Sequence, residues 1–573
     1  MYIIKKYDNI NSNQKEGEQK MTGIGIGLSD FKALRLRQNY YIDKTEFIKH
    51  IIDNQSSVIL ITRPRRFGKT LNMTTLRYYF DNRVTDAKEL FQNLKIMQLG
   101  EKYTSKMSSY PCIYLTLKDA GMPNYEYMLM QLKTIMMDLY FENRYLLKEA
   151  EMSGGERNVF NKMLDAKADE IDLINGVKML SKIMYQYYKK PVMLFLDEYD
   201  VPLQSAYVEG YYENAIKFFK TFYGTTFKDN QYLEKTVITG VSRVAKESIF
   251  SGANNFKVYT VLDNKFTTDF GITEQEIDKI IKDFNVEDEK EEIKKWYDGY
   301  KIGEQEGIYN PWSIINYLAD KKLQQYWVNT SSNDLIKMTL KDSTTVKEKI
   351  ERLLKNEAIE VKVDQETIMV NIEKNEDNIW GLLVGTGYLK VTEKLDGKMC
   401  KVQIPNYEIK ALFEEIIDDW FDDKVIGNNL RTILKDLVTL NLEEFEEKFK
   451  KLVIEMFSFM DVGENTAENF YHAFVLGMLV GLKDTYYVNS NRESGLGRYD
   501  IMLEPKEKNQ NSFIMEFKVH KPEKESTMED TVANAKKQIE EREYEQNLRE
   551  RGFTNITKMV YAFKGKEVKM EVY

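Results

Sequence analysis

With 573 residues, the chain is too long for a single hydrophobic core, since domains usually contain about 150 residues. Its formal net charge of −9 excludes a uniformly basic surface, so any contact with nucleic acid has to use a local patch. Two cysteines, Cys112 and Cys400, argue against a disulfide framework, and three histidines are too few to favour a zinc cluster.

The N-terminal residues 1–20 are predicted to form a polar leader. They lack the apolar run and the small residues of a secretory signal. The longest apolar run of the chain, near Tyr471–Leu482, is far shorter than the roughly 20 residues that a membrane span requires. The sequence therefore predicts a cytoplasmic protein without a membrane partner.

An open α/β sheet is predicted for residues 21–268. Short runs rich in Val, Ile and Leu are typical of buried parallel strands, and segments with helical spacing lie between them. The predicted strands are Ser57–Thr62, Cys112–Leu117, Val192–Leu196 and Lys235–Thr239. The predicted helices are Leu71–Phe80, Tyr125–Tyr140 and Leu173–Tyr188. Such a sheet binds ligands at the carboxyl ends of its strands.

A phosphate-binding loop is predicted between the first strand and the helix that follows it, where the sequence reads RPRRFGKT. In such loops backbone N–H groups wrap a phosphate, a lysine reaches the outer phosphates and a hydroxyl holds Mg²⁺. Gly68, Lys69 and Thr70 are expected to supply these functions. The usual first glycine is absent because Arg63 stands in its place, and Pro64 is expected to shape the loop by fixing φ.

Two acidic residues follow the third predicted strand. Asp197 is expected to hold the Mg²⁺ shell, and Glu198 to orient or deprotonate an attacking water. Thr239 ends the fourth predicted strand and is a candidate sensor of the terminal phosphate, which Arg243 would contact. For Thr239 and Arg243, packing or surface roles are the alternatives.

A mainly helical middle region is predicted for residues 269–405, followed by a helical connector over residues 406–460. Aromatic side chains in the middle region are candidates for a platform that stacks single-stranded nucleic acid, although packing between helices is the more frequent role. They are Trp296, Tyr297, Tyr300, Trp312, Tyr326 and Trp327. The earlier segment Tyr40–Thr45 is expected either to border a nucleotide base or to dock against the sheet.

Residues 461–573 are predicted to form a second α/β domain with a metal site. Its strands GRYDIMLE and NSFIMEFKV are joined by a polar turn. Glu516 and Lys518 share one face of the later strand, and Asp500 is expected to lie across from Glu516. Two carboxylates suit Mg²⁺ or Mn²⁺, and such an ion can activate water for phosphodiester cleavage.

Two helices are expected to complete this metal site. AENFYHAFVLGMLVGL would bring Glu468 to the same metal, and TVANAKKQIEEREY offers Gln538 and Tyr544. His472 and His520 lie close in sequence, but packing or surface exposure is expected for both.

The first domain resembles the AAA-ATPase-like family of bacterial proteins. The resemblance is carried by GIGLSDFKALR, YYIDKT, RPRRFGKTLNMTTL, LDEYDVPL and TGVSRVAKESIFSGANN, and it continues in YDGYKIG, YNPWSIINYL and GYLKV. In that family RPRRFGKT is the usual form of the phosphate loop. The resemblance implies that the cofactors are ATP and Mg²⁺ and that ATP is hydrolysed. The candidate nucleotide contacts in the loop are Arg65, Arg66, Phe67, Gly68, Lys69 and Thr70.

The C-terminal domain resembles the PD-(D/E)XK nuclease superfamily. The matching positions are Glu468, Asp500, Glu516 and Lys518, with Gln538 similar to a glutamine of some members. Tyr499 departs from the pattern, because a proline usually precedes the aspartate. The resemblance implies a restriction-endonuclease-like fold and a nuclease site in which Asp500, Glu516 and Lys518 are catalytic.

The sequence thus predicts an α/β multidomain protein: an ATPase coupled to a Mg²⁺-dependent nuclease that acts on nucleic acid. The alternative is an ATP-switched signalling or scaffolding protein whose nuclease-like domain is inactive. The sequence leaves open the choice between DNA and RNA, and it leaves open the oligomeric state.

Overall fold

A computed structural model describes most of the chain. The described residues are 23–228, 230–243, 256–327, 344–364, 376–421, 429–459, 471, 475–479, 481–490, 493–494, 497–523, 525–542, 544–564 and 567–573. The chain divides into two compact units. The first contains Met1–Leu335 and Glu360–Glu408, and the second contains Ile336–Ile359 and Ile409–Tyr573. The predicted leader, residues 1–20, lies outside the described residues.

A five-stranded parallel sheet forms the centre of the first unit. Its strands are β1 (Val58–Thr62), β2 (Cys112–Thr116), β3 (Val192–Asp197), β4 (Leu233–Gly240) and β5 (Phe256–Tyr259). Their order is β2-β3-β4-β1-β5, and each neighbouring pair is parallel. The four predicted strands are confirmed. β5 was not predicted from the sequence, because FKVY has only four residues and Lys257 interrupts its apolar run.

Helices flank this sheet. Their bounds are Phe31–Leu36, Glu46–Asp53, Lys69–Phe80, Ala87–Phe91, Glu101–Thr104, Tyr125–Glu142, Leu146–Glu149, Gly154–Leu164, Glu170–Tyr188, Val201–Val208 and Tyr212–Phe227, with 3₁₀ turns at Lys95–Gln98 and Lys118–Ala120. The three predicted helices are confirmed. The helix Glu170–Tyr188 begins before its predicted start because Asp169 and Asp172 form a capping box, which satisfies free N–H groups of the first turn.

The middle region is helical, as predicted, and two small sheets accompany its helices. The helices are Glu274–Asp283, Lys290–Tyr297, Pro311–Asp320 and Glu376–Thr386, with a 3₁₀ turn at Glu287–Glu289. One sheet, in the order β6-β8-β7, contains β6 (Ile272–Thr273), β7 (Tyr300–Ile302) and β8 (Gln305–Tyr309). The other, in the order β10-β11-β9, contains β9 (Ile359–Lys362), β10 (Lys390–Lys394) and β11 (Met399–Gln403).

The aromatic residues proposed as a stacking platform pack inside the first unit. Tyr297, Tyr300, Tyr326 and Trp327 are buried. Trp296 packs on the ring of Tyr407 with 4.7 Å between ring centroids. The packing alternative therefore describes the four buried residues, because buried ring faces cannot stack on bases.

A mixed five-stranded sheet forms the centre of the second unit. Its strands are β12 (Tyr486–Ser490), β15 (Ile501–Pro505), β16 (Ser512–Val519), β17 (Ile556–Lys564) and β18 (Glu567–Val572), in that order, and a separate ribbon contains β13 (Glu493–Ser494) and β14 (Gly497–Arg498). Only the β16–β17 pair in this sheet is parallel. The helices are Thr344–Leu354, Tyr407–Phe421, Asn429–Val438, Leu442–Phe459, Met528–Glu541 and Gln546–Glu550. Within the described ranges of both units, no helix has the length and apolar character needed to cross a membrane.

Both faces of this second sheet are buried. Phe449 and Val453 of one helix pack with Phe517 and Tyr561 of the sheet on one side. Ala535 of the helix Met528–Glu541 belongs to a separate buried cluster on the other side. The predicted α/β character of the C-terminal region is thereby confirmed.

Two glycines of the first unit give a matched test of this packing. Gly299 has a φ of 100°, and an added Cβ would lie 2.0 Å from the carbonyl oxygen of Pro405. Gly224 lies inside the helix Tyr212–Phe227, and nothing lies within 4 Å of an added Cβ there. Scanning calorimetry should show Gly299→Ala unfolding several degrees below the wild type. Gly224→Ala should be slightly stabilised, by up to about 1 kcal/mol, because Ala favours helix. A Gly299→Ala protein as stable as the wild type would refute the contact with Pro405.

Candidate functional site

The predicted phosphate loop connects β1 to the helix Lys69–Phe80. Gly68, immediately before the helix, has a φ of 83°, a left-handed conformation that glycine adopts without strain. Arg66 also has a positive φ, of 64°. The first N–H groups of a helix have no partner within it, so this turn offers donors to an anion.

Arg63, which stands where the usual glycine is missing, has a structural role. Its side chain is fully buried and donates hydrogen bonds to the carbonyl oxygens of Thr62, Tyr259, Lys265 and Phe266 over 2.8–3.3 Å. Burial lowers the pKa of this guanidinium to about 10, so it stays protonated at neutral pH. The arginine therefore fastens the start of the loop to the end of β5 and to the segment after it.

The lysine of the loop is folded back over the loop. The Nζ of Lys69 donates to the carbonyl oxygens of Arg63 and Pro64 at 3.3 and 3.1 Å. The same atom lies 3.7 Å from Oε1 of Glu198. Lys69 is only 3% exposed, whereas the Glu198 side chain is 22% exposed, so the glutamate forms the more open side of this ion pair.

Three side chains meet at the carboxyl ends of β1, β3 and β4. The hydroxyl of Thr70 donates to Oδ2 of Asp197 at 2.7 Å, and the hydroxyl of Thr239 donates to Oδ1 at 2.5 Å. The backbone N–H of Glu198 also donates to Oδ1, at 3.1 Å. Burial, and next the nearby negative charge of Glu198, raise the pKa of Asp197 to about 6. The structure thus brings together the loop hydroxyl and the acid of the second motif.

The remaining candidate loop residues point in different directions. The guanidinium of Arg65 donates to the side chain of Gln204 at 3.3 Å. The guanidinium of Arg66 lies over the ring of Trp312, 4.2 Å from its centroid. Phe67 is buried in the hydrophobic core, so only its backbone remains available to a ligand.

Sequence analysis missed a second buried acid, Asp200. Its carboxylate accepts hydrogen bonds from the backbone N–H groups of Val241 and Ser242 and from the side chains of Ser242 and Gln204, over 2.6–3.1 Å. It therefore fixes the chain just after β4, immediately before the half-buried Arg243. The only signal in the sequence was a third acidic residue in LDEYD, which is also typical of an exposed turn.

An apolar cavity of about 90 Å³ opens beside Gly68. Its walls come from Tyr40–Ile42, from the start of the loop helix, and from the helices Glu274–Asp283 and Pro311–Asp320. The hydroxyl of Tyr40 donates to Asp283 at 2.7 Å. The segment Tyr40–Thr45 therefore borders a cavity next to the loop and also docks onto a helix of the middle region.

In the second unit, the predicted acidic residues lie where β15 and β16 pair. Oδ2 of Asp500 accepts a hydrogen bond from the backbone N–H of Phe517 at 2.8 Å. Glu516 is fully buried, and its Oε1 lies 3.0 Å from Nζ of Lys518 on the same face of β16. The register of β15 on β16, with Ile501 opposite Met515, thus brings Asp500 to the part of β16 that carries Glu516 and Lys518.

The helix Met528–Glu541 adds to this cluster. The side-chain amide of Gln538 donates to Oε1 of Glu516 and also contacts the hydroxyl of Tyr544, at 3.2 Å. His520 is buried and contacts Thr531 at 3.0 Å, which is the expected packing role. The candidate ligand Glu468, most of its predicted helix and His472 lie outside the described residues. Among the residues described, no group of three or more His, Cys, Asp or Glu could hold a metal ion.

Two family models match the chain. Residues 25–250 match a predicted AAA-ATPase, and residues 466–572 match the PD-(D/E)XK nuclease superfamily. Over these ranges the chain is similar to the AAA-ATPase-like family and to that nuclease superfamily. It is similar to a protein of Azotobacter chroococcum mcd 1 described as "Uncharacterized protein in vnfD 5'region". The two are 23% identical over 415 residues, which cover 69% of each chain.

The raised pKa of Asp197 predicts a pH-dependent stability. Because its folded pKa of about 6 exceeds the value of 3.8 for an ordinary aspartate, protonated Asp197 stabilises the fold below pH 4, and this stability is lost as the pH rises through 6. Asp197→Asn, which stays neutral, should therefore raise the melting temperature in EDTA by a few degrees at pH 7.5 and hardly at all at pH 4.

Thermal denaturation of the wild type and of Asp197→Asn between pH 4 and pH 7.5 measures the difference in melting temperature. Asp278→Asn is a suitable control, since Asp278 is an exposed partner of Lys290. A gain in stability that is equal at both pH values would show that the charge of Asp197 is not its cause.

Proposed function

We propose that the first unit binds ATP with Mg²⁺ and hydrolyses ATP. The observation that supports this most strongly is the 2.7 Å contact between Thr70 and Asp197 beside the loop lysine. A hydroxyl and a carboxylate are oxygen ligands of the kind that Mg²⁺ prefers, so the residues present fit this ion and would hold it. When bound, Mg²⁺ neutralises charge on the phosphates.

The neighbouring residues have distinct roles in this proposal. Lys69 exchanges its contacts with the loop carbonyls for a charge-assisted contact with the outer phosphates. Glu198 is exposed enough to reach water from solvent and orients or deprotonates the attacking molecule. Thr239 and Arg243, which lie at and just beyond the end of β4, respond to the terminal phosphate.

The nucleotide base is proposed to enter the apolar cavity beside Gly68. Its volume of about 90 Å³ is well above the roughly 10–15 Å³ that a single water needs, so the cavity has room for a ligand group. The polar side chains at its edge are engaged elsewhere: Lys44 contacts Glu276 and the carbonyl of Thr268, and the Asn72 amide donates to the carbonyl of Asp269. The cavity therefore offers the base mainly apolar contact.

We propose that the second unit cleaves phosphodiester bonds in nucleic acid. Asp500 and Glu516 would hold a divalent cation, since carboxylate oxygens suit Mg²⁺ and Mn²⁺. Lys518, whose Nζ lies 3.0 Å from Oε1 of Glu516, is proposed to orient the nucleophile, and Gln538 donates to the same oxygen. ATP binding or turnover in the first unit is proposed to license this cleavage.

An alternative is a nuclease-like domain that only binds a partner. The observation that favours it is that Oε1 of Glu516 already has two partners within the protein, Lys518 and Gln538. Purified protein incubated with labelled single- and double-stranded DNA and RNA, with Mg²⁺ or Mn²⁺, distinguishes the two proposals. Cleavage of any of these substrates supports the nuclease, and persistence of all of them supports the alternative.

Lys69→Ala tests the ATP site. Loss of the loop ammonium should reduce ATP turnover at least about a hundredfold while the fold stays intact, because the charge acts on the transferred phosphate. Release of phosphate measures ATP turnover, and circular dichroism measures whether the fold is intact. Lys102→Ala, at an exposed pair with Asp53, is the matched control and should turn over ATP normally. Unchanged turnover in Lys69→Ala would place the ATP site elsewhere.

Asp500→Asn tests the nuclease site. Asparagine keeps the shape of the side chain and can accept the hydrogen bond from Phe517, but it removes the charge that attracts the cation. Mg²⁺-dependent nicking of plasmid DNA should therefore fall about a hundredfold or more. Asp484→Asn alters an exposed turn of the same unit and should nick normally. Equal nicking by Asp500→Asn and the wild type would show that Asp500 is not part of the active site.

A further inference from the structure

We propose that Glu408 is a positioning residue for the phosphate loop. Its carboxylate accepts a hydrogen bond from the backbone of Trp327, and the indole of Trp327 donates one to a carbonyl of the loop. Glu408 lies in the first turn of the helix Tyr407–Phe421. The state of the loop is thereby tied to that helix. This inference rests on the proposed ATP site, because it assigns a role at the same loop.

The first link joins Trp327 to the loop. The indole Nε1 of Trp327 donates to the backbone carbonyl of Arg65 at 2.9 Å. Trp327 is 2% exposed and its ring packs against Tyr388, so the donor is held in place. A fixed carbonyl at Arg65 fixes the peptide that leads into Arg66, where φ is positive.

The second link joins Trp327 to Glu408. Oε1 of Glu408 accepts hydrogen bonds from the backbone N–H groups of Tyr326 and Trp327, both at 2.6 Å. Oε2 accepts from the hydroxyl of Ser313 at 2.8 Å. A fully buried carboxylate is costly unless it is hydrogen-bonded, so this arrangement strongly favours one position of the tryptophan.

A third contact brings the next loop residue to the same network. Arg66 lies 4.2 Å from the centroid of the Trp312 ring, and the indole N–H of Trp312 donates to the carbonyl of Tyr326 at 3.2 Å. Arg65, through its carbonyl, and Arg66, through its guanidinium, thus each contact a tryptophan. The two tryptophans are connected because Trp312 binds the carbonyl of Tyr326, the residue before Trp327. A packing role alone does not require both contacts to converge on the phosphate loop.

The position of Glu408 in the chain connects this network to the helix Tyr407–Phe421. The first unit ends at Glu408, and the chain continues into the second unit from Ile409, within the helix Tyr407–Phe421. The peptide after Arg65 and the Arg66 guanidinium belong to the loop that is proposed to bind the phosphates. Because Trp327 and Glu408 hold that peptide, we expect the start of this helix to respond to the nucleotide.

Trp327→Phe is the sharpest test, because it removes the indole donor and keeps an aromatic ring. Calorimetry with Mg²⁺ and a non-hydrolysable ATP analogue should find binding about fivefold weaker, the typical effect of one hydrogen bond. Hydrogen exchange of residues 407–421 should slow on binding of the analogue in the wild type and not in Trp327→Phe. Trp380→Phe, at another buried tryptophan of the first unit, should behave like the wild type in both measurements.

Two variants of Glu408 separate positioning from general stability. The substitution Glu408→Gln keeps a side-chain oxygen for the N–H groups of Tyr326 and Trp327, so affinity and exchange response should be retained. Glu408→Ala removes that acceptor, so affinity should fall about fivefold and the exchange response should disappear even at temperatures well below unfolding. Wild-type affinity and response in Trp327→Phe would overturn the inference while leaving the ATP site intact. Failure of the wild-type protein to bind the analogue would overturn the proposed ATP site itself.

Discussion

The arrangement of the candidate site in the first unit depends on the carboxylate of Asp197. This carboxylate lies at the end of a fully buried strand and accepts hydrogen bonds from hydroxyls that follow β1 and end β4. Asp197, at the end of β3, therefore connects the end of β4 with the helix that follows β1. Holding a charge there is unfavourable, as its raised pKa indicates, and a divalent cation at this position would relieve that cost.

The departure from the usual phosphate loop has a physical explanation. A glycine at position 63 would offer only a flexible backbone, whereas Arg63 donates hydrogen bonds to four carbonyl groups and lies over the ring of Phe270. The loop is fixed at its start by this buried guanidinium, and glycine supplies the left-handed conformation only at Gly68. The same segment can thus keep the loop lysine in place without the glycine.

The parts of the fold that could be predicted are those with a strong local pattern. β1 and β3 are buried along their whole length, so their apolar runs identify them. The strand period of two likewise placed Glu516 and Lys518 on one face. β10, by contrast, reads KVTEK and is partly exposed, so nothing in its composition separates it from a loop.

The contacts that could not be predicted join residues far apart in sequence. Trp327 reaches Arg65 across 262 positions, and Glu408 reaches Ser313 across 95. Neither pair has a local signal, because a buried tryptophan and a helical glutamate are common in any α/β protein. The roles of Thr70, Asp197, Asp500 and Glu516 were proposed from their motifs. The structure adds the contact of Thr70 with Asp197 and that of Asp500 with the backbone next to Glu516. Their ligands and chemistry stay predictions.

The most direct test of the account is titration of the wild-type protein with a non-hydrolysable ATP analogue, once with Mg²⁺ and once with EDTA. The account predicts saturable heat with Mg²⁺ and affinity lower by on the order of tenfold or more without it, because Thr70 and Asp197 would act on the phosphates through the ion. Absence of heat under both conditions, or equal affinity in both, would contradict it.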